Sequence, residues 1–163
     1  MIVLDMACSK NKTKQAIGVD IDINSDADLI CDLGKYPYPI KDNSVDLIIS
    51  KHTFEHLDDP LGALKEMYRI MKPSGKIKIE VPHFSSYTAY GIGHKHIFTQ
   101  RELTQMAKET INCKIEKITI TFYKTFRIFG IMYLANKYPT NYERFWTYIF
   151  PAENIKMIIE IIK

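Results

Sequence analysis

Short apolar runs, rich in β-branched residues and separated by polar connections, are what most restrict this chain. They fall at residues 2–4, 16–19, 28–31, 45–50, 76–81, 115–122 and 155–162. A strand wetted on one face alternates apolar and polar residues, whereas a strand covered on both faces reads as an unbroken apolar run. Several of these runs are of the second kind, so the expected fold is α/β with a largely parallel sheet. Two helices are also legible. One spans about residues 60–71, with Leu61, Leu64, Met67, Tyr68 and Met71 at helical spacing. Asp58 or Asp59 suits its N-cap, Pro60 suits its first turn, and Pro73 and Gly75 stop it. The other opens at Thr99, where Thr-Gln-Arg-Glu forms a capping box, and carries Leu103, Met106 and Ala107 on one face. Strand, helix, strand across residues 45–81 is a βαβ unit, the building block of a doubly wound sheet. The last two runs suit antiparallel pairing at one edge.

Residues 7–15 join the first two runs, and residues 21–27 join the second to the third. A parallel crossover usually takes about a dozen residues or more and includes a helix, so neither connection has room for a full one. One face of the sheet's first half is therefore expected to lack its usual helical cover and to need another. One candidate is the segment 124–150, dense in aromatics: Phe126, Phe129, Tyr133, Tyr138, Tyr142, Phe145, Trp146, Tyr148 and Phe150. It reads as a helical excursion packing those rings on the sheet, or as a partner- or substrate-binding surface. A second copy of the chain in a homodimer is the other candidate. With 163 residues there is chain for one core, so 1–163 is read as one domain with an aromatic-rich insert at about 124–150.

Composition narrows the function classes. Hydrophobic residues make up 46% and charged residues 25%, which excludes a disordered or low-complexity chain. Twenty-two Lys plus Arg against nineteen Asp plus Glu leave +3, too weak a balance to argue for nucleic acid or an anionic membrane. Cys8, Cys31 and Cys113 lie far apart with no C-x-x-C pair, the pattern of reduced thiols in a cytoplasmic protein. No run approaches the roughly 20 apolar residues of a spanning helix, and no signal peptide is visible.

In open α/β sheets, ligands sit beyond the carboxyl ends of the strands. Polar residues gather there: Asp5, Cys8 and Ser9 after the first strand, Asp20 ending the second beside Ile21, and Asp32 before Leu33 after the third. Lys51, His52, Thr53, Phe54, Glu55 and His56 follow the fourth. A carboxylate ending the second strand can accept two hydrogen bonds from a ribose diol, the role expected of Asp20. Asp32, one strand over, suits an adenine amino group. The plainer alternative makes these acids ordinary turn residues.

His83, His94 and His96 follow the fifth strand, where such sheets gather substrate. An imidazole near the reacting group suits general-base work at neutral pH. His52 and His94 are the candidate catalytic residues; structural hydrogen bonding and a loose three-histidine metal pattern are the alternatives, and no metal is expected. His52-Thr53-Phe54-Glu55-His56 also matches H-x-x-E-H, a zinc-peptidase pattern that needs both histidines on one helix. The preceding strand leaves no helix for them. A nicotinamide enzyme would want G-x-G-x-x-G after the first strand, which is missing.

Taken together, Val3-Leu4-Asp5, Ile17-Gly18-Val19-Asp20-Ile21, Ala27 to Leu33 and Tyr38 to Ile48 resemble class I S-adenosylmethionine-dependent methyltransferases of the small type 11 group. So do Ser50 to Leu57, Ala63 to Lys76 and His94 to Leu103. The resemblance implies a Rossmann-like doubly wound sheet of seven strands in the order 3-2-1-4-5-7-6, strand 7 antiparallel, here with abbreviated helices in the first half. It implies S-adenosylmethionine as cofactor: the loop of Asp5, Ala7, Cys8 and Ser9 for the methionine part, Asp20 and Ile21 for the ribose, Asp32 and Leu33 for the adenine, and the segment from Ser50 to Phe54, with Ser50, Lys51 and His52 foremost, for the sulfonium end. Methyl transfer to an unidentified small molecule or protein follows, with an inactive, partner-binding scaffold as the alternative. The group's first loop usually reads Asp-x-Gly-x-Gly, yet this chain has Ala7 and Ser9 there, which would be strained if either φ is positive. The group also usually has helices ahead of the first strand, so the site is expected to be open, lidded by a partner, or empty.

Overall fold

The computed structural model describes residues 1–163, excepting the side chains of Ile128 and Phe129; Phe129, counted above among the aromatics, lies outside the described side chains. Seven strands form one sheet: β1 (Val3–Met6), β2 (Ile17–Asp20), β3 (Leu29–Ile30), β4 (Val45–Lys51), β5 (Met71–Pro82), β6 (Cys113–Phe122) and β7 (Ala152–Ile161). Their order is β3-β2-β1-β4-β5-β7-β6. β1 to β5 pair in parallel, and β7 runs antiparallel to both β5 and β6. This is the order and the reversed strand that the resemblance implied.

Helix α1 (Pro60–Ile70) starts where Asp59 accepts the Gly62 N–H at 2.8 Å, and it buries Ala63, Leu64, Met67 and Ile70. It ends before the spacing predicted. Met71 turns extended, pairs with Val45 and is fully buried, so β5 begins there and not at Lys76. Helix α2 (Gln100–Thr110) carries the expected capping box between Thr99 and Glu102 and buries Leu103, Met106 and Ala107. Both helices share one core with Leu4, Met6, Val19, Ile48, Ile77, Ile79, Val81, Ile155, Met157 and Ile159.

Among the described residues no helix joins β1 to β2 or β2 to β3. Irregular crossovers must find hydrogen-bond partners that a helix would supply internally, and here carboxylates do so. Asp5 Oδ2 accepts the Thr13 N–H at 2.6 Å, and Asp28 Oδ2 accepts the Gly18 N–H at 2.8 Å while pairing with Lys12. The β1–β2 connection lies close on Gly18 of β2: a Cβ there would lie 2.7 Å from Lys12 Cδ and 2.8 Å from Cys8 Sγ.

In the sheet's second half, the face opposite α1 and α2 carries charge. In register across it stand Leu47 with Lys76 and Glu160, Ile49 with Lys78 and Ile158, and Lys51 with Glu80 and Lys156. Lys156–Glu80 at 3.0 Å and Lys76–Glu116 at 2.8 Å pair across it. Period-two alternation gives this side enough charge to meet water, with Leu47 and Ile49 half-buried among the lysines. The aromatic segment does not lie over it. Residues 124–150 include α3 (Ile131–Lys137), which packs on β6 around a second small core of Ile120, Phe122, Ile131, Ala135, Tyr142 and Ala152. Asn136 closes the sheet edge there: its Oδ1 accepts the Ile120 N–H at 2.7 Å and its Nδ2 donates to the Ile120 carbonyl at 2.9 Å. Among the described residues no helix is long and apolar enough to cross a membrane.

Candidate functional site

The carboxyl ends of β1, β2, β3 and β4 open onto one cavity of about 220 Å³. Ala7 lines it after β1, Asp20 and Ile21 at the end of β2, Cys31, Asp32 and Leu33 after β3, and His52, Thr53, His56 and Leu57 after β4. Parallel strands present their carboxyl ends along one edge, which is why four separate loops meet. A larger cavity of about 320 Å³ lies inside the aromatic insert, between Ile131, Tyr138, Trp146 and Phe150, away from the strand ends.

The first loop is built on two left-handed residues, Ala7 at φ 55° and Ser9 at φ 49°. These are the positions where glycine was missing. The backbone keeps the shape that glycines favour although neither residue is glycine. Hydrogen bonds hold it: the Ser9 N–H donates to Asp20 Oδ2 at 2.8 Å, and the Asp26 N–H to the Ser9 carbonyl at 2.7 Å. Left-handed backbone costs about 1–2 kcal/mol for a residue with a Cβ, and glycine adds about 0.4–1 kcal/mol of unfolded-state entropy. Ala7→Gly should therefore stabilise the protein by about 1 kcal/mol in urea denaturation; a loss of stability would show that the Cβ is not what strains this turn.

Asp20 is buried, and its second oxygen accepts the Asp22 N–H at 2.9 Å. Each carboxylate oxygen retains a lone pair for a further donor. Asp32 accepts the Gly34 N–H at 2.9 Å, the main reason its carboxyl titrates below the usual range, with Lys35 adding to it. Burial pushes the Cys8 and Cys31 thiols up, so both stay protonated at neutral pH. Beyond β4 the chain turns at His52, φ 51°, into a single 3₁₀ turn, Phe54–His56. The two histidines of H-x-x-E-H therefore share no α-helix. Instead His52 Nδ1 lies 3.1 Å from Glu55 Oε1, and that hydrogen bond raises the His52 pKa above its ordinary value. Phe54, fully buried in the core, anchors the turn, and the Thr53 hydroxyl donates to the Met6 carbonyl at 3.2 Å.

Of the residues singled out in the sequence, Ala7, Asp20, Ile21, Asp32, Leu33, His52 and Thr53 line the cavity. Asp5, Cys8, Ser9, Ser50 and Lys51 do not. Asp5 and Ser9 brace the first loop from behind, and Cys8 is buried beneath it. Ser50 follows the pleat onto the helix-covered face beside Ile79, and Lys51 onto the opposite face beside Glu80. His94 also lies outside the lining; its ring meets His56 edge to face at 4.5 Å between centroids. His83, His94 and His96 do not converge. His83 is buried with Nδ1 2.8 Å from Ser85 Oγ and Nε2 3.3 Å from Glu143, whereas the His96 ring lies against Phe98. Cys31, His56 and Leu57 were missed as cavity residues. Their adjacency to Asp32 and His52 was the available signal.

A parallel sheet in this order with its last strand reversed, open at the ends of β1 to β4, defines the class I methyltransferase architecture. Residues 4–79 match a family described as a methyltransferase domain. No curated protein matches the chain by sequence. Among solved structures it is similar to a chain of the complex between the Haloferax volcanii Trm112 methyltransferase activator and a methyltransferase, at 18% identity and TM-score 0.68, covering 99% of this chain and 83% of that one. An Archaeoglobus fulgidus S-adenosylmethionine-dependent methyltransferase aligns at 20% identity and TM-score 0.68, over 97% and 85% of the two chains. Haemonchus contortus phosphoethanolamine N-methyltransferase 2, in complex with S-adenosyl-L-methionine, aligns at 16% identity and TM-score 0.64, over 98% of this chain and 48% of that one. This chain has the class I S-adenosylmethionine-dependent methyltransferase fold, and residues 4–79 carry the match to the methyltransferase-domain family.

Proposed function

We propose that the protein binds S-adenosylmethionine in the strand-end cavity and transfers its methyl group to a small-molecule or protein acceptor. The observation that carries this reading is the first loop, which keeps the glycine-type backbone at Ala7 and Ser9 and is tied to Asp20. The donor set suits the cofactor: a buried carboxylate with spare lone pairs at the end of β2, a second carboxylate one strand over, and apolar walls from Leu33 and Leu57. When bound, S-adenosylmethionine supplies an electrophilic methyl carbon on a sulfonium. Asp20 then holds the ribose hydroxyls, Asp32 accepts from the adenine amino group, and Ala7 brings backbone close to the methionine part. Aligning an acceptor with that carbon is the main work left to the protein, and His52, on the cavity wall, is the residue assigned to take an acceptor proton.

Isothermal titration with S-adenosylmethionine and S-adenosylhomocysteine tests the reading. Saturable micromolar binding of both is expected. No heat and no thermal shift at millimolar ligand would sink it in favour of a scaffold that works through a partner. The second reading has its own observation, the exposed rings of Tyr133, Phe145, Trp146 and Tyr148 on the insert.

A further inference from the structure

Glu55, His56 and His94 converge at the edge of the strand-end cavity, and we propose that they bind a divalent transition-metal ion of the zinc class. One carboxylate oxygen of Glu55 and one ring nitrogen of each histidine lie within 4.8 Å of one another. The Glu55 side chain is 1% exposed. Its Oε1 faces His52 Nδ1, while Oε2 is buried without a hydrogen-bond partner among the described residues. A buried carboxylate oxygen left unpaired is costly, and a cation held by the two neighbouring imidazoles is a partner that removes the cost.

Both histidines are preset as ligands. His56 Nδ1 lies 3.2 Å from the Gly93 carbonyl and His94 Nδ1 lies 3.2 Å from the Ala89 carbonyl. A carbonyl only accepts, so each Nδ1 carries the proton and each Nε2 keeps its lone pair, the arrangement found around metal-bound imidazoles. The two segments are also locked together. The Lys95 and His96 N–H groups donate to the Glu55 carbonyl at 2.6 and 3.2 Å, and Lys95 pairs with Asp58 at 2.7 Å. Metal bonds of about 2.0–2.2 Å would draw the three donors closer than they stand.

Two imidazoles and one carboxylate suit Zn²⁺, Co²⁺ or Fe²⁺ and not Mg²⁺ or Ca²⁺, which prefer all-oxygen sets. Three protein ligands leave a coordination position, and His56 also lines the strand-end cavity. An acceptor oxygen taking that position would be acidified beside the methyl donor. That role rests on the methyl-transfer reading; the metal site does not.

The test uses full-length, chelator-treated protein titrated with Co²⁺, followed by its visible absorption, and with Zn²⁺ by calorimetry, both without S-adenosylmethionine. One equivalent is expected, with affinity at least about tenfold lower in Glu55→Gln and in His94→Ala and unchanged in His96→Ala. Zn²⁺ should also raise the urea midpoint of the parent protein and not of Glu55→Gln. No saturable binding, binding that survives both ligand variants, or an equal loss in His96→Ala would overturn the site. The cofactor titration is separate, so failure of either leaves the other standing.

Discussion

Asp20→Asn should weaken S-adenosylmethionine binding by about 100-fold, the effect of losing one or two hydrogen bonds to a charged acceptor at about 1.5–3 kcal/mol each. The substitution keeps the side chain's shape and removes its charge. It also touches the fold, because Asp20 receives the N–H groups of both Ser9 and Asp22. An asparagine has one oxygen for those two donors and turns its own NH₂ toward the other, so stability should fall by about 1–2 kcal/mol. Calorimetry and urea denaturation on the same variant separate the effects. Unchanged affinity in a folded variant would remove Asp20 from the ribose position.

Arg69→Ala should cost about 3 kcal/mol of stability, measured by urea denaturation, because Arg69 ties the β3–β4 connection to α1. Its guanidinium donates to Glu66 at 2.8 Å, to the Tyr38 and Ile40 carbonyls at 3.0 Å each, and to Asp42. Glu66 in turn accepts the Tyr38 N–H at 2.9 Å. Removing the arginine leaves a mostly buried carboxylate and two carbonyls without their partner, the costly way to break such a network. The damage should reach the cavity. Tyr38 is buried and donates its hydroxyl to the Leu33 carbonyl at 2.9 Å, so cofactor affinity should drop along with stability. The Arg69 hydrogen bond also holds the Glu66 carboxyl below the usual range. Its stabilisation is present above the unfolded-state pKa near about 4.3 and is lost as pH falls through the lower folded value. The parent protein should lose this increment on acidification below about pH 4, and Arg69→Ala should have none of it to lose. Equal acid sensitivity in both proteins would place the acid-labile contacts elsewhere.

Much of the fold was legible because its signals are local. A helix shows itself in spacing and caps, and a doubly buried strand in consecutive apolar residues; α1, α2 and all seven strands sit where those signals lie. Errors came where neighbours decide. Met71 fits the helical stripe, yet joining β5 beside Val45 buries it completely. The short crossovers were visible as too few residues, but their answer was not. Asp5 and Asp28 accept the Thr13 and Gly18 N–H groups in those crossovers, partners that a count of residues does not reveal. The charged face of β5 and β7 likewise depends on register between strands some 80 residues apart, Lys76 with Glu160 and Glu80 with Lys156.

By itself the sequence determined the βαβ plan, the acids at the strand ends, and the absence of glycine from the first loop. Each is written in adjacent residues or in a short period. Tertiary structure alone decided which of those residues face one another. Ser50, Lys51 and His52 are neighbours in the chain, yet the pleat sends the first two to opposite faces of the sheet and a left-handed turn brings only His52 into the cavity. Glu55 and His56 meet His94 across nearly forty residues because two N–H groups at 95 and 96 dock on the Glu55 carbonyl. Hydrophobic patterning acts through period and burial, which one strand or helix expresses on its own. A site needs particular atoms within a few ångströms, and only the packed chain sets those distances.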